Sequence, residues 1–472
     1  MANREEKLAK NTILFAAGNF GSKLLQIILV PFYTRVMSDA QYGTVDLLQA
    51  IVSLLLPIAS LAIYESVFRY AMEKEYDKNA VLSVGLLISL VGAVVLCAGG
   101  GVVCVFAPAS YVWLVIANSI FNSLRTLMSQ YTRAVGRTVL FSIDNILMTL
   151  LVLVLNIVFI AVLRMGITGY MLGYTLANLL SAVFLYVMLG EQRKLRFSGI
   201  RKGLVKEMLL FALPLIPNAI CWWISSFLDR VMIVSMVGTA ANGLYAAAHK
   251  IPSLLSVVVS IFFQAWQMSA NEEFRQKDIA GFYSKIFEQI SACIFLLSSV
   301  LIVLSRPINS IFLGADYGGA WVYMPPLVLS MTFFSFAQFL GSIYSANKKT
   351  NMALVTNLVG VAVNVTLNAV LIPLIGTIGA AVATAVSYLV LWLVRIIDTG
   401  KIVPMRYKIV TIVAASLIVS AQTVLVCADL DVVVTYSLCA VGTAALLIMY
   451  RRTLFTMVNF FLRFAKKILK GR

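Results

Sequence analysis

The chain has 472 residues, 61% hydrophobic and only 12% charged, with a mean hydropathy of +0.94. Soluble domains carry about 25% charged residues, so this composition excludes a soluble globular protein and is better counted in membrane spans of about 20 apolar residues. The 37 basic against 20 acidic residues give a net charge of +17, but the cations fall in short connections between apolar runs. No aromatic-interleaved basic region is present, which excludes a nucleic-acid partner.

From the N-terminus, Met1 to Asn11 is short and charged and leads into an apolar run too long for a signal-peptide core, which predicts a retained first span. Fourteen helical spans follow, at about 12–36, 42–65, 80–107, 111–134, 139–163, 168–190, 207–236, 241–267, 283–304, 321–345, 351–373, 376–398, 407–428 and 431–450. Pro31, Pro57, Pro214, Pro217, Pro252 and Pro373 fall inside these runs and are expected to kink the helices without ending them. Counted over the alternating connections, thirty of the 37 basic residues lie on the side of the N-terminus, three lie opposite and four lie within spans. That bias puts both termini in the cytoplasm. Arg395 is counted here in a cytoplasmic connection, and Glu65 and Asp144 are taken as solvated near cytoplasmic ends. The six cysteines all sit in apolar stretches with no CxxC pair, so neither a disulfide framework nor a zinc site is expected.

The chain repeats itself. LNIVFIAVLRMGITG, from Leu155 to Gly169, is echoed by LNAVLIPLIGTIG, from Leu367 to Gly379, which pairs Asn156 with Asn368 and Gly166/Gly169 with Gly376/Gly379. TRVMSDAQYG (Thr34 to Gly43) has a weaker echo in DRVMIVSMVGTAANG (Asp229 to Gly243). An even number of spans between copies predicts two six-helix lobes in parallel orientation. The expected divisions are 1–206 for the first lobe and a basic linker, 207–400 for the second lobe, and 401–472 for two additional helices and a basic tail.

No catalytic or metal-ligating constellation emerges: there is one histidine, His249, and GNFGSK (Gly18 to Lys23) lacks phosphate-loop spacing. An enzyme is therefore not expected. The candidates for function are charges inside spans. Lys23, Arg125, Arg230 and Lys250 each cost about 2.5–3.5 kcal/mol at mid-bilayer, so they belong in a bundle interior or an aqueous cavity, where cations at several depths suit a travelling anion. The competing reading is that each pairs with a carboxylate and pins helix packing, with Asp46, Glu65, Asp144 and Asp229 as partners. Asp46 and Asp229 are also the candidates for coupling to a proton or sodium gradient, with no other cofactor expected. Asn19, Gln26 and Asn218 would hydrogen-bond sugar hydroxyls or neighbouring helices. His249, beside Lys250, reads as a polar cavity or interface residue.

Three segments carry a family resemblance: KLLQIILVPFYTRVMSDAQYGTVDL (Lys23 to Leu47), LDRVMIVSMVGTAANGLYAAAHKIPSLL (Leu228 to Leu255) and NKKTNMALVTNLVGVAVNVTLNAVLIPLIGTIGAA (Asn347 to Ala381). The chain resembles the multidrug/oligosaccharidyl-lipid/polysaccharide exporter superfamily, in its polysaccharide-flippase (Wzx-like) branch. The resemblance implies two lobes around a central cleft, with Lys23, Arg125, Arg230 and Lys250 lining a cationic cavity. Its cargo would be an undecaprenyl-diphosphate-linked oligosaccharide, flipped across a bacterial cytoplasmic membrane among membrane lipids. Glycosyltransferases and a polysaccharide polymerase would be its partners. The rival cargoes are lipid II and, less favoured because a cationic cavity repels them, cationic drugs.

Overall fold

The computed structural model describes residues 29–190 except 74 and 107, 202–253, scattered positions from 255 to 266, 279–428 except 348 and 349, and 430–470. The described residues are helical nearly throughout, with no strand among them. Ten of the described helices are long and apolar enough to cross a membrane. The chain divides into two compact units, Met1–Val231 and Met232–Arg472. The expected division at 206/207 falls inside a helix of the first unit.

In the first unit, a helical segment over residues 29–36 (α1) is followed by α2 (Asp39–Ala59), α3 (Ile63–Met72), α4 (Lys78–Val103), α5 (Ala109–Ala134) and α6 (Thr138–Asn156). The last of these continues into a π-helical turn, Ile157–Val162, before α7 (Gly166–Met188), α8 (Lys202–Ala212) and the start of α9 (Leu215–Met236). Local signals set the starts. Ser38 and Gln41 form a reciprocal capping box at the head of α2, and the Asp77 carboxylate accepts from the Asn79 amide at the head of α4. At the centre is α5, which packs against α2, α3, α4, α6 and α7. It falls outside the ten apolar helices because it buries Asn118, Ser119, Ser123 and Ser129 as well as apolar groups. A helix surrounded by other helices has no lipid to satisfy, so it can carry polar groups that bond across to its neighbours.

Three expected spans are broken, each next to a proline. The 42–65 run is two helices: α2 ends just after Pro57, and the chain passes through left-handed Leu61 (φ 47°) and Ala62 (φ 50°) before α3. Pro214 separates α8 from α9, and in the second unit α10 (Thr239–Lys250) ends just before Pro252. Proline has no N–H to donate and its ring crowds the preceding turn, so Pro214 and Pro252 stand at helix ends where a kink was expected. Pro57, two residues before the end of α2, and Pro373 are both accommodated inside their helices. The linker helix α8 docks on the first unit. The Ser66 hydroxyl donates to the Met208 carbonyl at 2.6 Å, Met208 and Ala212 join the core of Val67, Leu82 and Tyr131, and the Tyr76 hydroxyl donates to Glu207 at 2.9 Å. The Glu207 carboxylate pushes the Tyr76 phenol up to about 12.

The second unit continues with α11 (Ile279–Val303), α12 (Ser305–Phe312), α13 (Met324–Ala346), α14 (Thr350–Ile375), α15 (Thr377–Gly400), α16 (Ile409–Cys427) and α17 (Val432–Lys470). Its core is aromatic: Trp266, Tyr283, Phe287, Phe336, Phe339 and Trp392 stack at ring distances such as 4.8 Å for Trp266–Phe339. The two helices outside the sequence repeat, α16 and α17, pack on α11 and contribute Val419, Cys439, Leu446 and Tyr450 to this same core. Cys97, Cys104, Cys293, Cys427 and Cys439 are all free thiols.

The repeat is visible in the backbone of each unit. Gly166, the first residue of α7, and Gly376, just ahead of α15, both adopt positive φ values, 54° and 68°. Three residues on, Gly169 and Gly379 press against the preceding helix. A Cβ would lie 3.0 Å from the Phe159 carbonyl oxygen in one case and 2.5 Å from that of Leu371 in the other. Phe159 and Leu371 each follow the paired, buried Asn156 and Asn368 by three residues. Backbone cannot yield as a flexible side chain does, so Gly379→Ala is expected to destabilise the protein by about 1–3 kcal/mol. Gly169→Ala should do so by less. Thermal unfolding of purified protein checks this, and an unchanged midpoint for Gly379→Ala would refute the close approach.

Candidate functional site

Of the residues singled out in the sequence, Asn19, Lys23 and Gln26 lie outside the described residues. Asn218 is in the first turn of α9. In the second unit, Lys250 ends α10 half-buried, and His249 beside it sits 6.3 Å from the Tyr245 ring, centre to centre.

Arg125 extends from the central helix α5 to both α6 and α7. Its guanidinium donates to Asp144 at 2.9 Å, to Asn145 at 3.2 Å and, through Nε, to the Ser181 hydroxyl at 2.9 Å. The Ser181 hydroxyl in turn donates to the second oxygen of Asp144. Higher up the same interface, Asn178 of α7 donates to Asn118 of α5 at 3.0 Å. The expectation that Asp144 is solvated is overturned, because its side chain is fully buried. A carboxylate at that depth persists only with a cation against it and its remaining lone pairs engaged.

Arg230 occupies the same helix face as Trp223 and Phe227, at the spacing i, i+4, i+7. That face meets α2: the Trp223 indole N–H donates to the Ala50 carbonyl at 2.7 Å, and Arg230 Nε donates to Asp46 at 2.6 Å. The guanidinium lies 5.0 Å from the Phe227 ring centre, adding a cation–π contact. Both side chains of the pair are nearly buried, at 7% and 12% exposed. Asp229, the next residue back, is also buried.

Sequence reasoning missed Arg395. Counted above in a cytoplasmic connection, it lies inside α15 and is buried. It donates to the Ala337 carbonyl of α13 at 2.6 Å and to Thr356 and Asn357 of α14 at 3.1 and 2.9 Å. Thr356 and Asn357 precede Asn368 by twelve and eleven residues, as Asp144 and Asn145 precede Asn156. Each unit thus ties three successive helices together with one buried guanidinium at one level of the repeat. The first unit supplies the arginine from α5 and holds it with a carboxylate. The second supplies it from α15 and holds it with neutral acceptors. Only the register of the repeat, read together with the run extending past Arg395, carried any sign of this in the sequence.

The chemistry of this arrangement is charge held in largely buried surroundings. Residues 8–267, more than half of the chain, match the family described as polysaccharide biosynthesis protein. A Haemophilus influenzae protein named from the Lsg locus is 24% identical over 265 residues, a segment that covers 55% of this chain and 64% of that protein, just under two thirds of its length. Among solved structures, lipid II flippase MurJ in an inward closed conformation is similar at a TM-score of 0.68, with 15% identity over 94% of this chain and 100% of MurJ. An inward-facing multidrug resistance MATE family transporter is similar at 0.64, with 15% identity over 81% of this chain and 94% of that one. A MOP superfamily transporter from Pyrococcus furiosus is similar at 0.57, with 13% identity over 83% and 95%. At such identities the likeness is one of fold, and it matches the all-helical, multi-pass architecture described above. Matched by its family model over more than half its length, the chain belongs to the polysaccharide biosynthesis protein family.

Proposed function

We propose that the chain is a flippase that moves an undecaprenyl-diphosphate-linked oligosaccharide across the bacterial cytoplasmic membrane by alternating access, for surface polysaccharide assembly. The observation that carries this reading is the family match over residues 8–267. The fold by itself does not choose among lipid II, a drug and a glycolipid, since one scaffold serves several cargoes.

In this reading Lys23, Arg230 and Lys250 receive the diphosphate. Arg230 already donates to Asp46, so a diphosphate has to compete with that carboxylate. A proton or sodium ion taken up by Asp46 would release the guanidinium to the cargo, and its loss would reclaim it, which couples transport to an ion gradient. Asp229 and His249 neighbour the cations and would adjust the same balance. Asn19, Gln26 and Asn218 serve the sugar. Arg125 gives Nε and one terminal nitrogen to Ser181, Asp144 and Asn145, and its role in this reading is to hold α5, α6 and α7 as one body. Glycosyltransferases would supply the cargo and a polymerase would consume it.

Cells lacking this protein should lose surface polymer and accumulate the lipid-linked repeat unit, and a wild-type copy should restore both. Unchanged polymer with no accumulated intermediate would sink the reading, and accumulated lipid II would redirect it. Both termini are assigned to the cytoplasm on the thirty-to-three basic bias. Reporter fusions after Lys202 and after Arg472 should both give cytoplasmic signals, and an external signal at either would reverse the assignment.

A further inference from the structure

In the second unit, a small cavity of about 20 Å3, room for one oxygen-sized group, opens between α11, α16 and α17, and shares no residue with the cations assigned to the cargo. Glu288, Ser291, Arg406, Lys408, Thr411 and Tyr450 line it. Its acidic group is already neutralised. Lys408 donates to Glu288 at 2.8 Å, and the Thr453 hydroxyl donates to the same oxygen at 2.6 Å. The Arg406 amide donates to the Ser284 hydroxyl at 2.8 Å, which fixes the connection ahead of α16 against α11. The Arg406 side chain is exposed and pairs with no carboxylate among the described residues.

Tyr450 points to a missing ligand. It is 2% exposed, yet its O–H reaches no acceptor among the described residues, and the neighbouring Ser291 hydroxyl donates to the Glu288 carbonyl at 3.0 Å. A buried hydroxyl left unpaired is destabilising, and one that faces a polar cavity calls for an acceptor there. The surroundings give that acceptor a sign and a tail. Lys285, Arg451 and Arg452 adjoin lining residues in the chain and are exposed, so the local charge is strongly positive. The flanking helices expose apolar side chains, including Ile409 at 67%, Val410 at 83%, Ile448 at 64% and Phe455 at 70%. Cationic pockets at the end of apolar spans match anionic lipid headgroups in both charge and depth.

We propose that this cavity is a binding site for the phosphate headgroup of an anionic glycerophospholipid, whose chains lie along α16 and α17. Arg406 would grip the phosphate at the mouth with its planar fork, and the Tyr450 and Thr411 hydroxyls would donate to the one phosphate oxygen that enters. The proposal stands whether or not the cargo is a lipid-linked oligosaccharide.

The test is the thermal unfolding midpoint of the purified full chain in detergent, titrated separately with phosphatidylglycerol, phosphatidylcholine and inorganic phosphate. Phosphatidylglycerol should raise the wild-type midpoint saturably, and the other two should not. Arg406→Ala should raise the half-saturating concentration about tenfold, and Tyr450→Phe about threefold or more. Without lipid, Tyr450→Phe should unfold at or above the wild-type midpoint, because it removes an unpaired buried hydroxyl; a merely structural tyrosine would show the reverse. Half-saturation unchanged in both variants would overturn the site. Equal protection by phosphatidylcholine would overturn its selectivity for anionic lipid, and equal protection by inorganic phosphate would show that a free anion occupies it.

Discussion

Arg230→Ala is expected to abolish surface polysaccharide. Two causes have to be separated. Removing the guanidinium takes away a cation assigned to the diphosphate, and it also leaves the nearly buried Asp46 carboxylate without its 2.6 Å partner. Breaking such a pair from one side costs about 3–5 kcal/mol, enough by itself to lower the amount of folded protein. The double variant Arg230→Ala/Asp46→Asn removes both charges and should restore folding, because an amide is far less costly to leave at that depth than a carboxylate. If the Arg230–Asp46 pair takes part in transport, the double variant accumulates to wild-type levels and still exports nothing. Full export from the double variant would show that the pair only fastens α9 to α2. Arg230→Lys should export partially, since lysine offers a point charge without the fork, and Lys23→Ala should match the Arg230→Ala phenotype.

Asp144→Ala is expected to have the largest effect on stability. It leaves the Arg125 guanidinium at the centre of the first unit with Ser181 and Asn145 as partners and no counter-charge. The expected cost of about 3–5 kcal/mol is a large share of the roughly 5–15 kcal/mol that holds a typical domain together, so little folded protein should be recovered. Replacing both partners by apolar residues of similar volume, as Arg125→Met/Asp144→Leu, should return folded protein to near wild-type levels, because neither desolvation cost then remains. Export should return with it if Arg125 only joins α5, α6 and α7. A double variant that folds normally and fails to export would move Arg125 back among the residues that meet the diphosphate.

Some of this molecule was legible one residue at a time. A long apolar run has to be a helix in hydrocarbon, so composition determined the class and most of the spans. The Asn–Gly repeat was equally readable, because a glycine at positive φ, followed three residues later by one pressed on a carbonyl, is a local requirement that leaves the same letters wherever it recurs. The sequence also marked Arg125 and Arg230 as charges needing an explanation. The explanation itself lay in the tertiary structure. Asp144 and Asp46 are separated from their arginines by 19 and 184 residues, and nothing local distinguishes a carboxylate that meets a guanidinium from one that meets water. Arg395 was misplaced because it lies near the end of an apolar run, where hydropathy cannot tell the last buried turn from the first wet one. The helix ends at Pro214 and Pro252 follow the same rule, since whether proline kinks or ends a helix depends on what satisfies the freed backbone groups. Hydropathy belongs to each segment of the chain by itself, whereas pairing and burial arise only when particular helix faces meet.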